Sequence, residues 1–204
     1  MIGLVGGIGA GKSRVATLLA GENCFVVHSD DIAHEALEDR SVRAAVLSHF
    51  GNEVLNEDGE FDRSKLAERI FADATLRATL ESILHPWIET ERRRRTASMP
   101  PTCCAVVIDA PLLLEVGLDR ECDAVLFVDA PEAVRRERVR RDRGWSAARF
   151  SVREGAQLPL AQKRARSTAI IANDEDGEPA LAVLRIAVQN FLSKTIQEFA
   201  SKRT

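Results

Sequence analysis

Short apolar runs recur along the chain without the alternation of polar positions that a half-exposed strand shows. Five runs rich in valine, isoleucine and small apolar residues stand out: Ile2–Val5, Cys24–Val27, Ala105–Ile108, Ala124–Val128 and the weaker Ala169–Ile171. Continuous apolar runs of this length are typical of strands covered on both faces, as in a parallel sheet. Stretches with helical spacing separate them. The pattern therefore predicts an α/β fold with a five-stranded parallel sheet and crossover helices.

The longest helical stretch lies between the second and third predicted strands. Residues 31–98 contain no convincing strand pattern, and one segment has apolar residues at helical spacing: Leu76, Leu80, Ile83 and Leu84. We expect His85-Pro86 to stop or kink this helix before Trp87 and Ile88 restart it. Roughly seventy helical residues exceed a simple crossover between strands. We therefore interpret residues 31–100 as a helical lobe inserted beside the sheet.

A glycine-rich segment follows the first predicted strand. Gly6-Gly7-Ile8-Gly9-Ala10-Gly11-Lys12-Ser13 fits the pattern G-x-x-x-x-G-K-[ST], and a helix is expected directly after it, from about Lys12 to Ala20 with Gly21 ending it. Glycines let backbone N–H groups turn towards phosphate oxygens, and the helix adds its positive end. Lys12 can reach the β- and γ-phosphates, and the Ser13 hydroxyl can bind Mg²⁺. The segment predicts a site for a nucleoside triphosphate.

Acidic residues follow two other predicted strands. Asp109 ends Val106-Val107-Ile108 and is a candidate ligand of Mg²⁺; the alternative is an acid that only caps a loop. Asp30 and Asp31 follow the second strand, at the sheet edge where the glycine loop is expected. One carboxylate there can accept the proton of an attacking hydroxyl. The alternative for either aspartate is a helix N-cap.

Six arginines lie between Arg135 and Arg143, where Glu137 and Asp142 are the only acids, so the segment carries +4 in a chain of net charge −3. Such a segment is a local anion site rather than a general nucleic-acid surface. Its helix is expected to begin after Asp129 as the cap, and about half of the arginines can lie on a solvated face. A second run, Arg92 to Arg95, is expected at a helix C-terminus, where cations interact favourably with the negative end of the helix dipole.

The composition narrows the remaining possibilities. The net charge of −3 gives no general attraction to nucleic acid or to anionic membranes, and no apolar stretch is long enough to span a bilayer. The four cysteines show neither metal-binding spacing nor a disulfide framework. We therefore expect a cytoplasmic protein that acts on small molecules.

Several segments together resemble the dephospho-CoA kinase family. They occur in the family's order: VGGIGAGKS, SDDIAHEAL, Phe50-Gly51, Asp58-Gly59, His85-Pro86, Asp109-Ala-Pro-Leu-Leu-Leu-Glu115 and Gln157-Leu-Pro-Leu-Ala-Gln-Lys163. The resemblance covers residues 2–173. It implies a P-loop kinase that phosphorylates the ribose 3′-hydroxyl of dephospho-CoA with ATP and Mg²⁺, in the last step of coenzyme A synthesis.

The resemblance also implies roles for particular residues. Asp30 is the expected base, and Lys12 with the lid arginines Arg138 and Arg143 is expected to act on the phosphoryl group. ATP is expected to contact the loop and the residues around it: Gly7, Ile8, Gly9, Ala10, Gly11, Lys12, Ser13, Arg14 and Asn173, the last near the adenine. The acceptor is expected at the residues after the third strand and at the helical bend: Asp30, His85, Pro111, Leu112, Leu113 and Glu115.

The implied architecture is a single three-layer P-loop domain over residues 1–204. Its core comprises residues 1–30, 103–130 and 168–204, its helical acceptor lobe residues 31–100, and its lid residues 131–165. The chain departs from the family pattern at three positions. His28 replaces the first aspartate of an Asp-x-Asp, Arg14 stands where threonine is usual, and Thr168 stands where aspartate is usual.

Two other functions are compatible with the same residues. One is a kinase of nucleoside monophosphates or small metabolites on the same fold, which would bind a more compact acceptor. The other is an ATP-gated binding protein without transfer activity, which would need neither an acid at Asp30 nor a charged lid. The oligomeric state does not follow from the sequence.

Overall fold

The computed structural model describes residues 1–202 of the 204-residue chain. The chain forms two compact units. One comprises Met1–His28 together with the chain from Met99 onward, and the other comprises Ser29–Ser98. The helices are α1 (Lys12–Gly21), α2 (Ser29–Glu38), α3 (Arg40–Phe50), α4 (Arg63–Ala72), α5 (Ala74–Ala97), α6 (Glu132–Arg143), α7 (Ala147–Gly155), α8 (Leu160–Ala165) and α9 (Glu178–Lys202).

The first unit contains a five-stranded sheet in which every pair of neighbours is parallel. Its strands are β1 (Ile2–Gly6), β2 (Cys24–His28), β3 (Ala105–Asp109), β4 (Ala124–Asp129) and β5 (Ala169–Ala172), in the order β2-β3-β1-β4-β5. The predicted α/β fold with five parallel strands is confirmed. Each strand extends one residue past its apolar run, to a glycine, histidine, aspartate or alanine, because a residue of any of these types can still take part in the hydrogen-bonded ladder.

The register places the ends of the strands at one edge of the sheet. Leu4 of β1 lies opposite Asp109 of β3 and opposite Leu126 of β4. His28, the last residue of β2, also lies opposite Asp109. Because the strands are parallel, the segments that follow β1, β3, β4 and β5 all leave from this edge, which is where ligands bind in open parallel sheets.

Helices α1 and α9 contribute to the core of the sheet unit. Their buried apolar side chains form one cluster with those of the strands, including Leu4, Leu126, Val15, Leu19, Leu184 and Val188. Helix α1 includes Gly21, one residue more than expected, and the left-handed backbone conformation that follows it is taken by Asn23 (φ 59°). Asparagine tolerates that conformation better than most residues because its side chain is short and polar.

The second unit contains α2, α3, α4 and α5 around a separate apolar cluster of Val42, Val46, Phe50, Val54, Leu66 and Leu80. Within its described residues the only strand-like pairing is a single antiparallel bridge between Leu55 and Phe61. Aspartates cap three of its helices: Asp39, Asp62 and Asp73 each accept hydrogen bonds from backbone N–H groups of the following turn.

Helix α5 runs through Pro86 without ending, so of the stop or kink predicted at His85-Pro86 the stop is wrong. A proline inside a helix removes one backbone hydrogen bond and costs about 3 kcal/mol. Here the apolar stripe continues across it, because Ile83 and Leu84 before the proline and Trp87 after it pack against the same cluster. Burial of that stripe offsets the cost of the proline.

One predicted helix start is wrong, and the alternative given for Asp30 and Asp31, a helix N-cap, does not hold either. Helix α6 begins at Glu132 with Pro131 as its N-cap residue, whereas Asp129 is the last residue of β4 and pairs with Arg164. Helix α2 begins at Ser29, so Asp30 and Asp31 lie in its first turn rather than at the cap. In that position both carboxylates still interact favourably with the helix dipole.

Candidate active site

The glycine loop joins β1 to α1 at the carboxyl edge of the sheet. Gly9 (φ 77°) and Gly11 (φ 91°) have the left-handed backbone that favours glycine. A Cβ on Gly9 would lie 2.4 Å from the carbonyl oxygen of Arg135, and one on Gly11 would lie 2.2 Å from Nδ2 of Asn173. Two neighbouring segments therefore approach the loop backbone so closely that only glycine fits at these positions.

Lys12 and Ser13 open α1 directly after the loop. The Lys12 ammonium donates hydrogen bonds to the carbonyl oxygens of Gly6 and Gly7, at 3.2 and 3.3 Å, so the side chain folds back along the loop. Ser13 is exposed, whereas Ala10 is buried and Ile8 is half-buried. The cation and the exposed hydroxyl lie side by side on the first turn of the helix, as the motif predicts.

Asn173 fastens the end of β5 to the glycine loop. Its side chain is buried, and Nδ2 donates to the carbonyl oxygen of Ala10 at 2.7 Å. Arg14 donates to Oδ1 of Asn173 at 3.4 Å. The backbone N–H of Asn173 donates to the carbonyl oxygen of Asp129 at 2.8 Å. The structure thus brings Asn173 and Arg14, both predicted site residues, into contact with each other.

Helix α6 presents two buried arginines on one face, Arg135 and Arg138. Arg135 donates to the carbonyl oxygens of Ala130 (3.1 Å) and Ile8 (3.2 Å) and forms an ion pair with Glu154. Arg135 therefore ties α6 and α7 to the glycine loop. Sequence reasoning did not single it out, although its i, i+3, i+4 spacing with Arg138 and Val139 marks one helix face.

The two predicted lid arginines lie in different surroundings. Arg138 is buried and its donors are directed at the segment after β5. Arg143 ends α6, is exposed, and lies with its guanidinium carbon 5.4 Å from the centre of the Trp145 ring. On the exposed side of α6, Arg136 and Arg140 pair with Glu132 and Glu137, as expected for a solvated face.

Asp109 and His28 are hydrogen-bonded across the β2–β3 pair. Nδ1 of His28 lies 3.2 Å from Oδ2 of Asp109, whose side chain is 12% exposed. The histidine that departs from the family pattern is therefore a neighbour of the candidate metal ligand. Across residues 1–202, no three histidine, cysteine, aspartate or glutamate side chains form a group that could hold a metal by themselves.

The residues after β3 divide between core and surface. Leu113 and Leu114 are buried in the core, and Leu112 is 41% exposed. The expectation that Leu113 contacts an acceptor is not supported by its position, because its side chain fills the space beside Gly3. Only Leu112 of the three leucines faces solvent.

Glu115 and Pro111 of the same segment are tied to the region around α8 through Lys163. This lysine is 1% exposed, and its Nζ lies 3.0 Å from Oε1 of Glu115, 3.0 Å from Oε1 of Gln157 and 3.4 Å from the carbonyl oxygen of Pro111. The Gln157–Lys163 segment thus braces the segment after β3. Nothing in the sequence of the Gln157–Lys163 segment indicates that the lysine at its end is buried.

Asp30 and His85 belong to the unit Ser29–Ser98. Asp30 is the second residue of α2 and is exposed, and His85 is an exposed residue in the middle of α5. The residues that the structure brings together on the sheet unit are therefore Gly9, Gly11, Arg14, Arg138 and Asn173, around the start of α1.

None of the helices among the described residues is long and apolar enough to cross a membrane.

Comparison with known proteins gives one consistent family. The family model described as dephospho-CoA kinase (CoaE) matches residues 1–178. A dephospho-CoA kinase of Anaeromyxobacter dehalogenans is 41% identical over 175 residues, which cover 85% of this chain and 83% of that relative. One of Methylococcus capsulatus is 37% identical over 177 residues, which cover 86% and 88%.

Solved structures agree with the fold. TT1252 from Thermus thermophilus matches with a TM-score of 0.82 at 30% identity, over 95% of this chain and 96% of its own. The dephospho-CoA kinase from Campylobacter jejuni matches with a TM-score of 0.66 at 21% identity, over 100% and 98%. A shikimate kinase from Bacteroides thetaiotaomicron, at 14% identity and a TM-score of 0.57, shares the fold alone.

Proposed function

Because the chain belongs to the dephospho-CoA kinase family, we propose that it transfers the γ-phosphoryl group of ATP to the ribose 3′-hydroxyl of dephospho-CoA, giving CoA and ADP. The observation that carries the proposal is the convergence of three elements on the glycine loop. Lys12 folds back onto the loop, Asn173 donates to Ala10, and Arg135 of α6 donates to Ile8. A loop held from three sides is preorganised to receive phosphate oxygens.

The loop and Lys12 would supply the binding of the triphosphate. Backbone N–H groups of the loop and the N-terminus of α1 attract anions, and Lys12 can exchange the Gly6 and Gly7 carbonyl oxygens for phosphate oxygens. Phosphoryl transfer needs little covalent chemistry from the protein, so positioning and charge stabilisation account for most of the rate. Loss of such a preorganised cation costs about 3 kcal/mol, or roughly a hundredfold in rate.

Magnesium is the ion expected with ATP, and the residues present fit it. Ser13 offers an exposed hydroxyl, and Asp109 offers a carboxylate at the same sheet edge, with Oδ2 bonded to His28. Hydroxyl and carboxylate oxygens are the ligands that Mg²⁺ accepts alongside water and phosphate. We propose that Ser13 and Asp109 hold it. When bound, the ion would neutralise negative charge on the phosphates.

Asp30 is the residue that we propose as the base. An alcohol is a poor nucleophile, so transfer to a hydroxyl benefits from a carboxylate that accepts the proton, whereas a phosphate acceptor is already anionic. Asp30 follows the last residue of β2 by two positions and is exposed. In the sheet unit, Pro111, Leu112 and Glu115 of the segment after β3 are the proposed acceptor contacts. For His85, an exposed residue of the helical unit, an acceptor role stays a prediction from the family resemblance.

The test is a coupled ADP-release assay with four acceptor conditions: dephospho-CoA, AMP, pantothenate and no acceptor. Dephospho-CoA is expected to give the highest kcat/KM, with a product phosphorylated on the 3′-hydroxyl. Lys12→Ala is expected to lower kcat at least roughly a hundredfold while the melting temperature stays close to that of the parent. Transfer to AMP without transfer to dephospho-CoA would assign a different acceptor and leave the nucleotide site in place.

The remaining expectations concern binding partners, cellular location and the division of the chain into core, acceptor lobe and lid. A small-molecule kinase of net charge −3 is not expected to bind nucleic acid, and a cytoplasmic location stays a prediction from the sequence. The division into sheet core, acceptor lobe and lid is likewise proposed. The lid can be tested by hydrogen exchange across residues 135–143, which should slow when ATP and acceptor are both bound.

A further inference from the structure

The segment that joins β5 to α9, residues 173–177, contains an aspartate, Asp176, that is shared by three arginines. Asp176 Oδ1 lies 3.0 Å from Nη2 of Arg14 and 3.0 Å from Nη2 of Arg138, and its Oδ2 lies 3.0 Å from Nη1 of Arg141. Arg14 comes from α1, and Arg138 and Arg141 come from α6. One carboxylate therefore connects three elements that border the glycine loop.

Two of these arginines also hold the other end of the same segment. Arg14 donates to Oδ1 of Asn173 at 3.4 Å, and Arg138 donates to the Asn173 carbonyl oxygen at 2.9 Å. Arg138 also donates to the Glu175 carbonyl oxygen at 3.0 Å. Each guanidinium thus bridges Asn173 and Asp176, and the planar fork of arginine fixes the separation of the groups that it binds.

The ion pairs between Asp176 and its three arginines stabilise the ionised carboxylate, most of all the pair with Arg138, which is partly shielded from solvent. The Arg138 side chain is 7% exposed, so its ion pair with Asp176 is weakly screened. The hydrogen bond from Arg138 is the main cause that holds the pKa of the Asp176 carboxyl well below its usual range, with Arg141 and Arg14 adding to it. Asp176 is therefore ionised throughout the physiological range of pH.

The same contacts commit Arg138 to the segment after β5. Its Nε, Nη1 and Nη2 are bonded to Asp176, Asn173 and Glu175. To reach a phosphoryl group, the side chain would have to break these bonds and leave Asp176 with fewer cations. This arrangement differs from the role in phosphoryl transfer that the sequence resemblance implies for Arg138.

The chemistry of the segment indicates which part of the nucleotide it receives. Asp174 and Glu175 carry negative charge that repels phosphates, whereas the charge of Asp176 is compensated by its three arginines. The Asn173 amide is already bonded to Ala10 and Arg14, so the backbone of the segment supplies the neutral donors and acceptors. Neutral donors and acceptors suit a purine base. Asn173 also touches Ala10, so a nucleotide with its phosphates in the loop has this segment beside it.

We propose that Asp176 is a positioning residue that holds residues 173–176 in the conformation that binds the purine base of the nucleotide, with Arg14 and Arg138 acting through it. The inference rests on the proposed function for its nucleotide site alone. Arg14, one of the three departures from the family pattern, supplies the contact to α1. The proposal therefore gives this departure a function.

The test compares Asp176→Asn with the parent in calorimetric binding of ATP and GTP, without any acceptor. We expect ATP binding to weaken about tenfold, the preference for ATP over GTP to shrink, and amide exchange of residues 173–177 to accelerate in the free protein. In turnover, KM for ATP should rise about tenfold while kcat and KM for the acceptor stay within about twofold. Asp176→Glu, which keeps the charge, should recover part of the affinity.

Asp142→Asn is the matched control, because Asp142 pairs with Arg141 on the exposed side and has no contact with Asn173 among those described. It should bind ATP like the parent. Unchanged ATP affinity in Asp176→Asn would overturn the proposal. A fall in kcat without a change in ATP affinity would overturn it as well, and would return Arg138 to the phosphoryl group. ATP binding is measured without acceptor. If the protein did not phosphorylate dephospho-CoA, the proposed function would be refuted, but the ATP-binding comparison would still test the role of Asp176.

Discussion

Lys163 is a fully buried cation, and such a residue is tolerated only where its charge is compensated. Its ammonium has three acceptors, one each from Glu115, Gln157 and Pro111, which matches its three protons. Glu115 in turn accepts the backbone N–H of Leu158 at 2.9 Å. The ion pair therefore joins the segment after β3 to the segment before α8, and removal of one partner leaves a poorly solvated charge behind.

We predict that Lys163→Met lowers the free energy of unfolding by about 3 kcal/mol, because the Glu115 carboxylate loses its cation. Urea unfolding measures the change. Lys194→Met is the control: Lys194 is exposed and lies 3.8 Å from Glu198, so less than about 0.5 kcal/mol is expected. The double variant Lys163→Met with Glu115→Gln should recover part of the lost free energy of unfolding, because it buries no unpaired charge. Equal destabilisation by the two lysine variants would contradict this account.

Positions that depend on the local sequence could be predicted, and contacts that depend on distant partners could not. The place of Lys12 and Ser13 in the first turn of α1 follows from the sequence, because a glycine loop between a strand and a helix determines their surroundings. The roles of Arg135, Lys163 and Asp176 depend on partners far along the chain and on which helix face is buried. Six arginines in nine residues give no means of choosing Arg135 and Arg138 before the packing of α6 is known.

At the scale of elements, the first turn of α2 offers a matched pair of aspartates. Asp30 and Asp31 are both exposed and both lie in that turn, so each interacts with the helix dipole to a similar degree. Their effects on stability should therefore be alike, within about 1 kcal/mol. Only the proposed base should matter for chemistry.

We predict that Asp30→Asn lowers kcat by roughly a hundredfold or more with little change in ATP affinity, whereas Asp31→Asn keeps most of the activity. Steady-state kinetics with dephospho-CoA, with melting temperatures for both variants, make the comparison. If Asp31→Asn were the inactive variant, the base would be the neighbouring residue and the match to the family motif would be misplaced by one position.

The last turns of α5 carry a pH-dependent contribution to stability. Hydrogen bonds from Arg94 and then Arg95, which donate to Glu91 at 2.7 and 2.8 Å, lower the pKa of the Glu91 carboxyl from its ordinary 4.5 to about 2. A carboxyl whose pKa is lowered on folding stabilises the protein above its unfolded pKa. That stabilisation is lost as the pH falls towards the folded value.

We therefore expect the stability of the parent protein to fall more steeply between pH 4.5 and pH 2 than that of Glu91→Gln. Unfolding curves at several pH values measure the slope. Glu89→Gln is the control, since Glu89 pairs with Arg93 on the same helix. Parallel slopes for the parent and Glu91→Gln would show that this group contributes nothing.

Elements were predicted well where a single physical effect decided them. The valine- and isoleucine-rich runs identified all five strands, because a strand covered on both faces needs apolar side chains at every position. Helix α5 was missed as one helix, because local proline chemistry and the burial of Ile83, Leu84 and Trp87 favour opposite outcomes. Only the packed unit shows which effect is larger.

At the scale of the whole molecule, the strand order has a consequence for how the chain is made. Ile2 of β1 pairs with Val107 of β3 and with Ala124 of β4, both roughly a hundred residues later in the chain. The strand that leads into the glycine loop is therefore the first to leave the ribosome, and its neighbours in the sheet are synthesised long afterwards. Residues 29–98, with their own apolar cluster, emerge in the interval. A nascent chain that has reached Ser98 can complete this local cluster while β1 still lacks both partners, so the nucleotide site forms only in the later part of translation.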